Sequence, residues 1–233
     1  MGMEKIRRFD HIGEGGEKTS CAYQLNKDAK ALLLHLNEEG MLSESLGLVE
    51  TLARDCFVPF SYLGIGLKEG EIALPFPSVS PFGKRLLRGD ADKAIDKVIR
   101  ITAQLKLRYP ELESLPIVLG GYSLCGLLSL YASYRSSLFP YIASCSPSLW
   151  YEGWMEFIKE ENCLAKKLYV SLGDREEKSK NKVFSKVGEV TRGYTSYLKE
   201  EGYDVTLVYN KGGHFNDPEQ RMADGFRFHL ESL

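Results

Sequence analysis

Three short stretches of the sequence carry residues that could form and break a covalent bond. "PIVLGGYSLCGLL" sets Ser123 two residues after Gly121 and three before Gly126, between an apolar run and a segment of helical period. A serine becomes a nucleophile when a sharp strand-to-helix turn lifts it from a sheet edge, and small neighbours let that turn close. The common spacing has glycine two places after the serine; here Cys125 stands there. "VTLVYNKGGHFND" places His214 after an apolar run, in a loop loosened by Gly212 and Gly213. Such a loop can bring a general base to a hydroxyl. "LYVSLGDREEKS" offers Asp174, Glu176 and Glu177, any of which could orient an imidazole and stabilise its charged form. The order serine, acid, histidine along the chain is one that a nucleophile on such a turn uses.

Each piece has a plainer explanation. A glycine-flanked serine commonly caps a helix, and the acidic run alternates with Arg175 and Lys178 like a solvated surface. His11 lies in a polar stretch, His35 in an apolar run and His229 in a helical segment, which leaves His214 as the base. What favours chemistry is the context, a strand before each of the three groups.

That context comes from the alternation of apolar runs and helical periods. Strands are expected over 30–37, 56–65 (irregular at Pro59), 116–120, 141–145, 168–172 and 205–209. Helices are expected over 42–54, from Asp90 with Ala94, Ile95, Val98, Thr102 and Leu105 on one face, over 127–134 and over 183–198. A further helix opens at Asp217-Pro218. Residues 73–83 read as a loop, 121–126 as a turn and 1–17 as an irregular leader. Strands alternating with helices predict one α/β domain over 1–233, a mostly parallel sheet covered on both faces.

Composition bounds the rest. With 30 basic and 32 acidic side chains the formal net charge is −2, which argues against a nucleic-acid partner. Five scattered cysteines and four histidines lack metal-ligand spacing. No metal is expected, and the thiols read as small buried groups in a reducing compartment. The apolar stretch 115–134 has the length of a membrane span, but Pro116, Gly120 and Gly121 interrupt it. A soluble, cytoplasmic protein with no membrane partner is expected; nothing in the pattern specifies an oligomeric state.

The segments "GGYSLCGLLSLYA", "ASCSPSLWYEGW", "LYVSLGDREEK" and "NKGGHFNDPEQR" resemble those of α/β-hydrolase esterases of the esterase D-like family, over about 31–226. The resemblance implies the α/β-hydrolase fold and hydrolysis of a small carboxylic ester or thioester through an acyl-Ser123 intermediate, with no cofactor. It favours Glu176 as the acid, three residues after Gly173, with Asp174 the alternative. It implies an oxyanion hole from the amide of Leu124 and a second amide after "ALLLHLN", best matched by Asn37. The family often has His-Gly there, where this chain has His35-Leu36. Tyr122 and Trp150, with Tyr151 and Trp154, are expected either to line a substrate pocket or to cap a packed helix. Cys125 beside the nucleophile is expected to make the enzyme sensitive to bulky thiol reagents. Acyl transfer to another acceptor, or ligand binding without turnover, would use the same residues.

Overall fold

The longest apolar run, "ALLLHLN", becomes the inner strand of an eight-stranded sheet, and the other strands assemble outward from it. In the computed structural model the described residues are 5–233 except 14–15, 82 and 84–85. The elements follow in order: β1 (Arg7–Ile12), β2 (Lys18–Gln24), β3 (Leu32–Glu38), α1 (Ser45–Asp55), β4 (Ser61–Leu67), α2 (Glu69–Ile72), β5 (Ser78–Val79), β6 (Leu86–Leu87), α3 (Ala91–Arg108), β7 (Ile117–Tyr122), α4 (Ser123–Ala132), β8 (Tyr141–Cys145), α5 (Trp154–Glu160), β9 (Lys167–Gly173), α6 (Val187–Glu200), β10 (Asp204–Asn210) and α7 (Pro218–Leu230).

The sheet order is β1-β2-β4-β3-β7-β8-β9-β10. From β4 through β10 all neighbours are parallel, while β1 and β2 form an antiparallel hairpin that pairs with β4. Parallel strands need helical crossovers, which cover both faces. Residues of α3, α4, α5 and α6 bury one face with Leu32, Leu34 and Leu36; α1 and α7 bury the other with Leu33, Val118 and Phe226.

Several boundaries differ from the sequence expectation. The stretch 1–17 holds strand β1, because alternation of Arg7, Phe9 and His11 with their neighbours suits a hairpin edge; residues 1–4 and 14–15 lie outside the described residues. The strand expected over 56–65 begins only at Ser61, since Pro59 cannot donate to the ladder. The loop 73–83 contains β5, which pairs with β6. The helix expected from 183 has a 3-10 turn over Phe184–Lys186 before α6 begins. The helix expected from 127 begins four residues earlier, at Ser123 itself. Asp90 and Asp217 stand at the expected helix starts, yet neither side chain caps its helix. Among the described residues no helix is long and apolar enough to cross a membrane, and 115–134 divides into β7 and α4.

Two buried histidines make the fold acid-sensitive. Burial pushes His35, beside the Tyr62 hydroxyl at 3.0 Å, down to about 3. Burial also pushes His229 down to about 4; its Nε2 lies 2.9 Å from the Ile142 carbonyl. In the unfolded chain both take protons near pH 6.5. Between those values the unfolded state binds more protons, so stability falls as pH drops from about 6.5 to about 4. For the pair the slope reaches about 2.7 kcal/mol per pH unit. Urea midpoints at pH 7.5 and 5.0 test this, and equal midpoints would contradict it.

Candidate active site

At the carboxyl end of β7 the chain reverses within a single residue. Tyr122 is the last residue of β7 and Ser123 the first of α4, so no turn residues remain between them. The reversal is taken up by Ser123, whose φ of 58° lies in the left-handed region. A non-glycine residue there stores about 1–3 kcal/mol and persists only where the surroundings enforce it. The glycines at 121 and 126 supply that enforcement. A side chain at Gly121 would collide with the Cys125 backbone, and one at Gly126 would lie 3.0 Å from the Gly121 carbonyl oxygen and 3.1 Å from that of Cys145. The turn thus needs small residues at 121 and 126. At 125 the close approach uses backbone and Cβ, so cysteine serves.

His214 Nε2 lies 3.0 Å from Ser123 Oγ, and His214 Nδ1 lies 2.8 Å from Glu176 Oε2. The carboxylate fixes the proton on Nδ1 and turns the Nε2 lone pair toward the serine hydroxyl. The structure therefore brings Ser123, His214 and Glu176 into one hydrogen-bonded chain. Asp174 instead accepts from the Gly212 amide at 2.8 Å, and Glu177 pairs with Arg192 at 2.9 Å. Burial pushes the Glu176 carboxyl up, but hydrogen bonds from His214, Ser146 and the Gly173 amide outweigh it, leaving its pKa below the ordinary value. A depressed carboxylate contributes stability above its unfolded pKa, and that contribution is lost as pH falls through the folded value.

Arg221 is a residue the sequence did not mark. It sits on α7, only 2% exposed. Its Nη1 donates to Glu176 Oε1 (3.0 Å), Ser146 Oγ (2.9 Å) and the Tyr122 hydroxyl (3.1 Å). Its Nη2 donates to the Gly213 and Lys211 carbonyls at 2.9 and 3.3 Å. The planar fork thus binds the far oxygen of the acid and the loop that carries His214. The signal in the sequence was slight, an arginine four residues after the Asp217 helix start.

Removing one partner of a buried ion pair leaves an uncompensated charge, at a cost of about 3–5 kcal/mol. Arg221→Met is expected to lower stability by about that much in urea unfolding, with Arg221→Lys intermediate because it keeps charge but not the fork. A loss below about 1 kcal/mol for Arg221→Met would show the pair to be dispensable.

Tyr122, expected at the substrate, braces His214. Its hydroxyl donates to the His214 carbonyl at 2.6 Å, and its ring lies 5.4 Å from the imidazole. Ser148 was also missed; its Oγ lies 3.3 Å from Ser123 Oγ and its amide donates to the Ser123 carbonyl.

The amide of Leu124 lies in the first turn of α4, where helix amides lack intrahelical partners. On β3, the Leu32 amide donates to Pro116 on the β7 side, and the Ala31 carbonyl accepts from Ser61 on the β4 side. The register with β4 runs unbroken through Asn37 and Glu38. Two-residue alternation then turns the Asn37 amide toward β4 and the Glu38 amide toward the β7 side. Pairing with β7 ends at Leu36 opposite Gly121, so the Glu38 amide passes beyond the ladder toward the elbow. Of the two, the register thus directs the amide of Glu38, not that of the expected Asn37, toward the β7 side, and both residues line the cavity that holds Ser123.

Two cavities flank His214. One of about 350 Å³ holds Ser123, Tyr122, Leu36, Glu38 and Cys125; the other, about 200 Å³, includes Trp150, Phe184 and Val187. Tyr151 and Trp154 are buried in the core instead, the Tyr151 hydroxyl donating to the Phe76 and Leu87 carbonyls. Cys125 is buried, and burial holds its thiol well above the usual range, so the sensitivity to thiol reagents expected of it does not follow. A larger cavity, about 1110 Å³, lies among Asn26, Phe57 and Tyr109 at the amino ends of β3 and β4, away from all these groups. Sites in parallel sheets form at the carboxyl ends. Among the described residues no histidine, cysteine and carboxylate cluster could hold a metal ion.

No protein-family model matches the chain, and no curated protein matches its sequence. Solved structures do. The siderophore hydrolase EstA of Aspergillus nidulans is 17% identical, with a TM-score of 0.73 over 97% of this chain and 94% of that one. An IroE-like serine hydrolase of Shewanella oneidensis is 15% identical, with a TM-score of 0.78 over 97% and 80%. The esterase Pf2001 of Pyrococcus furiosus is 14% identical, with a TM-score of 0.64 over 97% and 92%. The chain has the α/β-hydrolase fold these proteins share.

Proposed function

We propose that the protein is a serine esterase that cleaves a carboxylic ester through an acyl-Ser123 intermediate. The observation that carries this is the hydrogen-bond chain from Ser123 through His214 to Glu176, hung on a nucleophile held in a strained backbone conformation. In the proposed cycle His214 Nε2 takes the Ser123 proton as Oγ attacks the ester carbonyl. The amides of Leu124 and Glu38 hold the oxyanion. His214 then gives that proton to the departing alcohol oxygen, and the acyl group stays on Ser123. A water then loses a proton to His214 and attacks the acyl-enzyme, and His214 returns that proton to Ser123 Oγ as the acyl–oxygen bond breaks and the acid leaves. Glu176, ionised and anchored by Arg221, stabilises the imidazolium in both halves.

That structural neighbours are called a siderophore hydrolase, a serine hydrolase and an esterase supports ester cleavage as the reaction class. Between β8 and β9 the chain has room only for α5, seven residues long, which favours small esters over substrates that need a large lid. The test is labelling with a fluorophosphonate probe, mapped by mass spectrometry, together with turnover of short-chain p-nitrophenyl esters. Labelling of the peptide that contains Ser123, with turnover, is expected. A folded protein that neither labels nor turns over would leave ligand binding without catalysis as the better account.

A further inference from the structure

The smaller cavity differs in character from the one that holds the nucleophile. Pro147, Trp150, Phe184, Val187 and Phe215 wall its roughly 200 Å³, and Trp150 meets Phe184 edge to face at 5.8 Å. An apolar cavity of about 150 Å³ admits benzene, so one substituted aromatic ring fits here. Phe215 is 87% exposed and stands edge-on to His214 at 5.1 Å, bordering both cavities. Its ring is therefore open to contact by a ligand in either cavity.

The segment that borders this cavity is rich in basic residues. The segment after β9 carries Arg175, Lys178, Lys180, Lys182 and Lys186, all exposed, and Arg175 also lines the cavity. Among the described residues none of the five is in an ion pair. Of the three carboxylates of the same segment, Glu176 is matched by Arg221 and His214, and Glu177 by Arg192. Asp174, next to Arg175, accepts the Gly212 amide. Five basic residues outside any ion pair against the single unpaired carboxylate of Asp174 leave this segment net positive, although the chain carries −2, and such a segment draws anions.

The cavity borders His214, which must protonate the leaving oxygen, and does not include Ser123, Leu124 or Glu38. We infer that it receives the leaving alcohol, and that this alcohol is an aromatic group carrying a carboxylate or similar anion, met at the rim by Arg175. The inference rests on the serine-esterase reading above.

The test compares 4-acetoxybenzoate with its methyl ester at the carboxyl group, following release of the phenol. Both give the same acetyl-enzyme, so any difference in kcat/KM arises before deacylation. After normalisation to each ester's hydroxide-catalysed rate, the anion is expected to be favoured about fivefold at low salt, the scale of a partly exposed ion pair. The preference should shrink as potassium chloride is added. Arg175→Ala is expected to bring the normalised ratio to about one, and Arg175→Glu to below one. A wild-type ratio of one or less, or a ratio unchanged in Arg175→Ala, overturns the assignment. Phenyl acetate turnover and fluorophosphonate labelling serve as controls. Loss of both would remove the esterase reading itself, whereas turnover without charge discrimination removes only this pocket's assignment.

Discussion

Replacing Ser123 by alanine is expected to lower kcat on a p-nitrophenyl ester by about 10⁶-fold, the scale seen when the nucleophile of such a triad is removed. The substitution deletes only the hydrogen bonds of Oγ to His214 and Ser148, so the folded structure should persist. Alanine at φ 58° retains the backbone strain, whereas glycine does not. Ser123→Gly should therefore be more stable than Ser123→Ala by about 1 kcal/mol while equally inactive. Residual activity above about a hundredth of wild type in either variant would place the nucleophile elsewhere, Ser148 being the nearest hydroxyl.

Glu176→Gln should cost about 10⁴-fold, for a reason specific to this site. Glu176 Oε1 accepts from Arg221, Ser146 and the Gly173 amide. A glutamine must keep its carbonyl oxygen there, because an NH2 group would face three donors. Its NH2 then points at His214 Nδ1, which becomes an acceptor, and the proton moves to Nε2, where it faces the Ser123 hydroxyl. The base is thereby held in the tautomer that cannot take a proton. Asp174→Asn, which touches only the Gly212 amide, should change kcat less than about tenfold. If the two variants exchange these magnitudes, Asp174 is the acid; steady-state rates of both on one ester decide it.

The parts of this site legible in the sequence were those defined by what a single residue must be next to. Ser123, Glu176 and His214 each follow a strand by a short interval, and strand runs such as "PIVLG" and "LYVSLG" are marked by their own apolar residues. Arg221 was not legible. On a helix beginning "PEQRMADGF" it looks like any solvated arginine, and only packing of α7 against β7, β8 and β9 carries it inside. The second oxyanion donor depended on parity. Strand β3 was plain, but which of Asn37 and Glu38 faces the elbow depends on which neighbour Leu32 bonds to, a long-range fact. Strand β1 escaped notice because an edge strand half in water carries no unbroken apolar run, and β2, though mostly buried, because polar residues interrupt its run KTSCAYQ. The early start of α4 did so because one strained dihedral replaced a turn of several residues.

Arg221 has a consequence for how the site comes apart. One guanidinium joins the end of β7, the residue after β8, the loop after β9 and the loop before α7, and its own helix packs on the sheet. Loosening any one of these elements breaks bonds shared with the others, so the triad has no partial disassembly in which α7 lifts away and the imidazole stays aligned. Local opening of this end of the sheet is then a cooperative event. On the serine-esterase reading, the fraction of molecules able to catalyse would follow the fraction in which that whole unit is closed, and turnover would gauge its integrity.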